Sequence, residues 1–594
     1  MSTQGTLVRL GALVFMLVCG FAKADDGGEK GHVTSTQVYW GDTHLHTSFS
    51  PDASLNGNIR LGPEEAFRFA RGQAIEGHNG KTAKLGRPLD FLVVTDHAEY
   101  LGLLPRIRNK DPAVMKNKVA RRWGDMIDSG NEAESWEAMF EVLRDIEVNQ
   151  PSFVDDDMMR SVWDVVINAA DTYNDPGKFT AFIGYEWTSM PGGNNLHRVV
   201  IFKDDASRAG RVLPFSSFDS DNPEDLWKYL ARYEDLTGGE VFAIAHNANM
   251  SNGMMFQTTD FNGKSIDQNY AKTRIRWEPL FEVTQIKGDG ETHPLLSPGD
   301  EFADFENWDK GNLTATLAKE NWMLKHEYAR SALKLGLQLE NDIGVNPYKF
   351  GMIGSTDAHT GLSAVEEKNF WGKFTVYEPG PHRLTHQPVA KGKLDKVYDL
   401  WAHEMSASGY AAIWATENTR TALFAAMKRK ETYATTGPRI TVQVFAGWDF
   451  TEQDAVKVDF SVLGYAKGVP MGGDLSASDS GKVPTFLIRA LKDPDSVNLE
   501  RMQMIKGWLD ERGETHELIF DIASSDSGAT DFVSQWHDPD FDPRYWAFYY
   551  VRVLEVPKHR WSTLDAELYG INAPQNVPNT IQDRAYTSPI WYTP

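Results

Sequence analysis

The chain has 594 residues, of which 41% are hydrophobic and 24% are charged, as in a large globular protein rather than a disordered one. Its 83 acidic residues outnumber its 60 basic residues, and the formal net charge is −23. This balance argues against a duplex-binding protein, which needs a basic surface, and against docking on anionic lipid. We therefore expect a small substrate, anionic or ester-like, and no nucleic acid as partner.

The first 24 residues have the pattern of an export signal. Arg9 precedes an apolar run over residues 10–21, and Ala22-Lys23-Ala24 matches an A-x-A cleavage site. The run is too short to span a bilayer; a buried helix is the alternative. We predict cleavage near Ala24, giving a periplasmic or secreted protein without stable membrane insertion. Cleavage would remove the only cysteine, Cys19, and leave nitrogen and oxygen atoms to bind any metal.

From about residue 36 to residue 360, short apolar runs alternate with amphipathic stretches. The runs predict strands over residues 38–40, 90–94, 179–185, 197–202, 240–245, 280–286 and 350–354. The amphipathic stretches predict helices over residues 63–72, 134–148, 223–235 and 321–340. This alternation indicates an α/β fold with a parallel sheet that can close into a barrel. In such folds the functional side chains gather at the carboxyl ends of the strands.

Histidine and carboxylate residues follow five of these runs. In GDTHLHT, His44 and His46 would point the same way on a strand, although a single pair is better explained as two loop histidines. The positions directly after the other four runs carry Asp96 with His97, Glu186, His246, and Asp357 with His359. The whole set predicts a metal site with more than one ion. Imidazole and carboxylate ligands without sulfur suit zinc, manganese or iron.

The pattern changes after about residue 440. Strand-like runs follow one another there, separated by Gly, Asp, Ser and Pro clusters, and predict a smaller, mostly antiparallel β domain. One helix, over about residues 419–430, is expected to join the two parts. We divide the chain into a signal peptide (1–24), an α/β domain (36–440) and a β-rich domain (441–594). The histidines of the last part, His516, His537 and His559, lie in loop-like or charged surroundings and are not expected to bind metal.

Five motifs in order, HLHTSFSPDA, FLVVTDH, GYEW, AIAHN and GSTDAH, closed by YATTGPRI, resemble the polymerase-and-histidinol-phosphatase (PHP) superfamily of metal-dependent hydrolases. The resemblance covers about residues 36–440. It is to the large exported branch long catalogued as a domain of unknown function (DUF3604-like). It implies a distorted (β/α)7-like PHP barrel with two or three divalent metal ions (Zn, Mn or Fe). The C-terminal β region is not part of the general PHP pattern.

The resemblance assigns a set of metal ligands, residue by residue. These are His44, His46, Asp52, His97, Glu186, His197, His246, Asp357 and His359. Glu186 is the carboxylate expected to bridge two ions, and His197 is included although it opens a predicted strand instead of ending one. Asp96 is expected to orient His97, and we assign the catalytic roles to Glu186, His246 and Asp96.

Some polar residues stay open between a functional and a structural role. Asp42 could orient a ligand or cap a turn. Asn247 and Arg198 could contact an anionic substrate or belong to the framework. The loop KGDGETHP at residues 287–294, which holds His293, could line a pocket or be an ordinary polar loop.

These patterns predict an exported multinuclear metal-dependent hydrolase that cleaves a phosphoester with a metal-bound hydroxide. No protein nucleophile is then needed, in agreement with the absence of a G-x-S-x-G elbow. Two alternatives stay open: hydrolysis of an ester, amide or carbamate at the same site, and a noncatalytic module in which the metals are structural. Amidohydrolase barrels also begin with HxH, but they usually carry a bridging lysine where this chain has Glu186.

Overall fold

A computed structural model describes residues 36–387, 396–478 and 481–594. The predicted signal peptide lies outside the described residues. Within these ranges, no helix combines the length and the apolar character that a membrane span requires.

The structure is a mixed α/β fold, as predicted. The strands up to residue 435 are β1 (Gln37–Leu45), β2 (Ile75–Glu76), β3 (Thr82–Ala83), β4 (Phe91–Val94), β5 (Thr180–Trp187), β6 (Arg198–Phe202), β7 (Val241–Ala245), β8 (Leu280–Gln285), β9 (Gly288–Asp289), β10 (Gly351–Gly354), β11 (Tyr410–Ala415) and β12 (Thr432–Thr435). The helices of this part are α1 (Pro51–Leu55), α2 (Pro63–Ala70), α3 (Leu103–Arg108), α4 (Lys118–Asp128), α5 (Glu132–Glu147), α6 (Asp156–Tyr173), α7 (Ala206–Ala209), α8 (Pro223–Thr237), α9 (Gln268–Trp277), α10 (Asn321–Leu324), α11 (Ala329–Ile343) and α12 (Arg420–Lys428).

The remaining elements are mostly strands. They are β13 (Thr441–Gly447), β14 (Gly468–Pro470), β15 (Asp474–Ser476), β16 (Thr485–Leu491), β17 (Leu499–Leu509), β18 (Thr515–Ala529), β19 (Asp531–His537), β20 (Ala547–Glu555), β21 (Lys558–His559), β22 (Thr580–Ile581), β23 (Arg584–Thr587) and β24 (Ile590–Thr593). Three helices accompany them: α13 (Glu452–Ala455), α14 (Phe460–Lys467) and α15 (Trp561–Tyr569).

Seven strands of the first part lie side by side in the order β10-β8-β7-β6-β5-β4-β1. The pairs β1 with β4, β4 with β5, β7 with β8 and β8 with β10 are parallel, whereas β6 runs antiparallel to both β5 and β7. The carboxyl ends of six strands and the amino end of β6 therefore share one edge of the sheet, which we call the carboxyl edge.

The two ends of this seven-strand run meet at the carboxyl edge. Beyond the last residue of β10, the Asp357 N–H donates to the His44 carbonyl (2.8 Å), and the His46 N–H donates to the Ala358 carbonyl (2.8 Å). The start of β1 pairs instead with β11. These bonds bring the loops that follow β1 and β10 side by side.

The sheet continues through β11, β12, β23, β20, β17 and β18. A further antiparallel sheet has the order β14-β13-β16-β19. The antiparallel strands predicted after residue 440 are thus confirmed. Because β23 pairs with β12, the end of the chain extends the sheet of the first part.

Buried apolar side chains fill the inside of the seven-strand run away from the carboxyl edge. Three of the strands contribute two alternate residues, such as Phe91 and Val93 of β4, and α12 closes the cluster with Leu423 and Phe424. Burying each large side chain of this kind is worth roughly 1.5–3 kcal/mol. This apolar floor holds the strands in place and leaves the carboxyl edge for polar groups.

One helix differs from the sequence prediction. The helix expected over residues 321–340 is two helices, α10 and α11. Between them, the His326 carbonyl accepts from Phe256 N–H (3.1 Å), and the Glu327 carboxylate accepts from Gly253 N–H (2.9 Å). Long-range bonds to a loop therefore interrupt a segment whose local pattern is helical throughout.

Candidate metal centre

The predicted ligands extend the inward-facing rows of the strands beyond the apolar floor. Side chains on a strand alternate between faces, so every second residue points the same way. In β5 this row runs from Phe182 to Glu186, and in β7 from Ile244 to His246; in the reversed β6 it runs from Val199 back to His197. His197 opens its strand because β6 is antiparallel, which places the amino end of β6 at the carboxyl edge.

The structure brings the predicted ligands together at this edge. All of them are buried except Asp52, whose side chain is 23% exposed. Their nitrogen and oxygen atoms form overlapping groups suited to a cation: His44, His46 and Glu186; His97, Glu186 and His197; His46, Asp52, His97 and His359; and His44, His246 and Glu282.

Glu186 lies at the middle of the cluster. Its Oε1 is 2.7 Å from His197 Nδ1 and 2.8 Å from His246 Nε2. Its Oε2 is 3.0 Å from His46 Nε2 and 3.1 Å from His97 Nδ1. His44 Nε2 also lies 3.4 Å from Oε2, so the two oxygens face different imidazoles, as expected for a carboxylate shared by two cations.

The hydrogen bonds of His46 fix its tautomer. Ser50 Oγ donates its only hydrogen to Asp96 Oδ1 (2.9 Å), so it accepts from His46 Nδ1 at 2.7 Å. The lone pair of His46 then lies on Nε2, which faces the cluster. A ligating histidine characteristically donates its other N–H to a supporting oxygen in this way.

His44 is oriented in the same manner by Glu282. Its Nδ1 lies 3.1 Å from Glu282 Oε2, a carboxylate oxygen that can only accept from it, so Nε2 carries the lone pair when the His44 ring is neutral. The Nε2 atoms of His44 and His46 are 2.9 Å apart. Two lone pairs at this distance repel each other unless a cation or proton lies between them.

Asp357 and Asp52 complete the carboxylates of the cluster. Asp357 Oδ1 is 3.5 Å from His44 Nε2 and 3.4 Å from His46 Nε2. Its backbone φ is +52°, in the left-handed region that side chains other than glycine seldom adopt. Asp52 lies 2.7 Å from His359 Nε2 and 3.4 Å from His97 Nε2.

Asp96 supports His46 more directly than His97, the residue that it was expected to orient. Its carboxylate accepts from Thr47 N–H (2.6 Å), Thr47 Oγ (2.7 Å) and Ser50 Oγ (2.9 Å). It therefore fixes the loop after β1 and acts on His46 through Ser50. Its link to His97 is indirect, since the His97 N–H donates to Ser50 Oγ (3.0 Å).

Sequence reasoning missed three charged residues of the centre: Glu282, Lys287 and Lys373. Lys287 Nζ lies 2.7 Å from Asp357 Oδ2, and Lys373 contacts Oδ1 of the same carboxylate. The signal for Glu282 was a carboxylate within the buried run of β8, and Lys287 lies in the KGDGETHP loop singled out from the sequence. No local pattern marks Lys373.

The structure distinguishes the polar residues that the sequence left open between a functional and a structural role. Asp42 accepts from His44 N–H (3.0 Å) and Thr356 Oγ (2.6 Å), joining the two ligand loops; burial raises its pKa to about 6. Arg198 is paired with buried Glu278 (3.0 Å) and belongs to the framework. Both polar atoms of the buried Asn247 amide lack a hydrogen-bond partner among the described residues.

The electrostatics favour cations. Burial lowers the pKa of His197 to about 3. Burial alone would raise the pKa of Glu186, but the surrounding histidines hold that pKa well below its ordinary value. For His44, burial opposes protonation, but Asp357 and Glu282 outweigh it and raise the pKa to about 10. The centre therefore holds ionised carboxylates among imidazoles that cannot all be protonated.

Divalent ions fit these residues. His197 Nε2 and His246 Nδ1 are buried without a hydrogen-bond partner among the described groups, whereas buried polar atoms normally have one. Neutral imidazoles and carboxylates are the nitrogen and oxygen donors that zinc, manganese and iron accept. The donor set is larger than one ion requires.

The fold and the site define an α/β protein with a candidate multinuclear metal centre at the carboxyl edge of its sheet. The chain belongs to a family described as proteins of unknown function (DUF3604), whose model matches residues 33–531 and 524–594. This confirms the family part of the predicted resemblance. No curated protein matches the sequence significantly.

A solved structure is also similar to this chain. It is that of a two-domain protein from Bacteroides vulgatus ATCC 8482, described as containing a predicted PHP-like metal-dependent phosphoesterase. The likeness covers 88% of this chain and 94% of the other, at 12% sequence identity and a TM-score of 0.29.

Proposed function

We propose that the protein is a metal-dependent hydrolase of the PHP superfamily and that it cleaves a phosphoester. The position of Glu186 carries the proposal, because one buried carboxylate lies among five imidazoles and takes part in two separate groups of candidate ligands. Two-metal hydrolytic sites hold their ions about 3.5–4 Å apart, a span that a single carboxylate can bridge.

The centre would hold two or three divalent ions. Glu186 would bind one ion with His44 and His46, and another with His97 and His197. Asp52 and His359, which form a further group with His46 and His97, would supply additional ligands for a third. When bound, such ions lower the pKa of water, polarise a phosphoryl oxygen and neutralise a leaving oxygen.

The residues of the chain would position these groups and exclude bulk water. Glu282 and Ser50 hold the ring nitrogens of His44 and His46 toward the centre. Burial lowers the pKa of His246, which keeps this imidazole neutral and able to bind a cation. No side-chain nucleophile is required.

The proposal extends to fold and location. The seven strands would form a distorted PHP barrel, in line with the hydrogen bonds that join the end of β1 to the segment after β10. The protein would be exported and would act on a small substrate. N-terminal sequencing of periplasmic or secreted material should begin near Asp25, and an intact Met1 on cytosolic protein would contradict export.

The activity is tested with purified protein loaded with Zn, Mn or Fe. We expect hydrolysis of a phosphoester panel, loss of activity with chelator and recovery on metal return. Hydrolysis of aryl esters or carbamates alone, with no phosphoester cleavage, would favour the alternative bond at the same site. Unfolding by chelator, with no hydrolysis on any panel, would favour a noncatalytic module.

A further inference from the structure

Two buried lysines contact one carboxylate of the centre. Lys287 Nζ lies 2.7 Å from Asp357 Oδ2, and Lys373 Nζ contacts Asp357 Oδ1 and the Asp357 carbonyl. The two side chains are only 12% and 2% exposed. We call Lys287 and Lys373 the lysine pair.

Asp357 offers a single negative charge to the two lysine side chains. Its Oδ1 also faces the Nε2 atoms of His44 and His46, where the first ion would bind. An ion there would share the charge of Asp357 and leave the lysine pair beside a cation. A buried charge without a counter-charge is unfavourable, so an anion that enters with the substrate would stabilise this arrangement.

The two lysines differ in what their ammonium groups can still bind. Lys287 extends from the turn between β8 and β9, where its N–H donates to Gln285 Oε1 (3.2 Å) and its carbonyl accepts from Asn249 (3.1 Å). Among the described residues, Asp357 is the polar side chain that contacts Lys287 Nζ. An ammonium carries three N–H donors, so Lys287 keeps donors for a ligand.

Lys373 is more fully committed to the protein. Its ammonium contacts both the side chain and the carbonyl of Asp357, and its own carbonyl accepts from His359 N–H (2.7 Å). It therefore holds the loop between Asp357 and His359 in place. Lys287, rather than Lys373, is therefore the residue placed to touch an anion.

We propose that Lys287, backed by Lys373, is the binding subsite for a terminal phosphoryl group, and that the substrate is a phosphomonoester. This inference rests on the proposed hydrolase function. A phosphomonoester carries a charge of about −1.5 to −2 at neutral pH, a diester carries one negative charge and a carboxylic ester none. The dianion supplies the most negative charge beside Lys287 and the ions, and it accepts the hydrogen bonds that the Lys287 ammonium has left.

The subsite is tested by binding, with metal content measured on the same samples. Calorimetry on metal-loaded wild type should give affinities that fall from inorganic phosphate to methyl phosphate to dimethyl phosphate. Lys287→Met should weaken phosphate binding about tenfold or more, the effect of losing a charge-assisted hydrogen bond, and Lys287→Arg should restore much of it. Lys310→Met, which removes an ammonium paired with Glu404, is the matched control and should bind phosphate as wild type does.

The same variants should change selectivity. Relative to wild type, Lys287→Met should lose more kcat/KM for 4-nitrophenyl phosphate than for bis(4-nitrophenyl) phosphate. Equal affinity of wild type for phosphate and dimethyl phosphate would overturn the subsite whatever the variants do. So would unchanged phosphate binding by a fully metal-loaded Lys287→Met. Metal-loaded wild type that hydrolyses only neutral esters would overturn the subsite and leave a hydrolase, whereas wild type that binds no metal would overturn the proposed function itself.

Discussion

At the scale of single residues, the centre depends on groups that choose which nitrogen of each imidazole faces inward. Ser50 does this for His46, because its hydrogen is committed to Asp96. The ligand and its orienting group come from one short segment, since Ser50 precedes α1 directly. A small hydroxyl therefore controls the availability of a lone pair without touching a metal.

Ser50→Ala should weaken metal binding by about 10–100-fold, the usual cost of losing a group that orients a ligand. The fold should be retained, because the substitution removes only a hydroxyl group. Ser54→Ala is the matched control: Ser54 lies in the same segment, is fully buried, and its Oγ has no hydrogen-bond partner among the described residues. Competition titrations with a metal indicator measure the affinities, and equal losses in both variants would contradict the orienting role.

Glu186→Gln should remove about one ion per chain and lower turnover by several orders of magnitude, since the amide cannot offset repulsion between two cations. Side-chain volume is kept and the apolar floor is untouched, so the fold should survive. Elemental analysis beside a hydrolysis assay on the same samples checks it.

His516→Gln is the control for that measurement. His516 lies with Asp510 and Glu514 in another group that could hold a cation, on the turn between β17 and β18. Asp510 is already engaged by that turn, accepting from the N–H groups of Arg512 and Glu514. We expect wild-type metal content in His516→Gln; full occupancy in Glu186→Gln would mean that Glu186 is not the bridge.

At the scale of elements, one reversed strand and one short hairpin shape the centre. The reversal of β6 supplies His197 from a strand start, and the β8–β9 hairpin supplies Lys287. Asp289 lies in β9, where it accepts from Glu291 N–H (2.9 Å) and keeps Oδ2 buried without a hydrogen-bond partner in the described chain. Burial, and then the charge of Glu291, raises its pKa to about 7.

This raised pKa predicts a pH dependence of stability. Between about pH 4 and pH 7 the folded chain keeps a proton on Asp289 that the unfolded chain has released, so the free energy of unfolding should fall as pH rises through this window. Asp289→Asn should remove that part of the slope. Denaturant titrations across the window measure it, with Asp304→Asn, an exposed aspartate of the following loop, as control. Parallel slopes for wild type and Asp289→Asn would contradict the prediction.

At the scale of the whole molecule, a buried ionic network joins the loop after β9 to the C-terminal strands. Arg552 of β20 binds Asp300 (2.7 Å) and Glu291 (3.0 Å), and Arg330 of α11 contacts the same two carboxylates. Tyr550 also donates to Glu291. The C-terminal strands therefore hold the segment that begins with Lys287.

Arg552→Met should lower the free energy of unfolding by about 3–5 kcal/mol, because it leaves buried carboxylates short of a partner. Arg544→Met is the control, since Arg544 is 68% exposed in its pair with Asp542, and exposed pairs contribute about 1 kcal/mol or less. Chemical denaturation of the metal-free proteins gives both values. A loss below about 1 kcal/mol in Arg552→Met would show that Arg330 suffices for the network.

Local periodicity and spacing in the chain were enough to predict part of the fold and most of the candidate ligands. Alternating apolar runs and helices gave the α/β class, and polar residues at the strand exits gave the candidate ligands, because every second side chain of a strand shares a face. His44, His46, Glu186 and His246 were found in this way. The family resemblance added Asp52 and His197, neither of which directly follows a predicted strand.

Contacts between residues far apart in the chain could not be predicted in this way. The direction of β6, the break between α10 and α11, and the pairing of β23 with β12 all depend on partners that no local pattern specifies. Glu282 and Lys373 join the centre because remote loops fold against one another: Glu282 lies 238 positions from His44 in the chain, and the two side chains are 3.1 Å apart. Periodicity assigns a side chain to a face, but long-range packing decides which charges meet there.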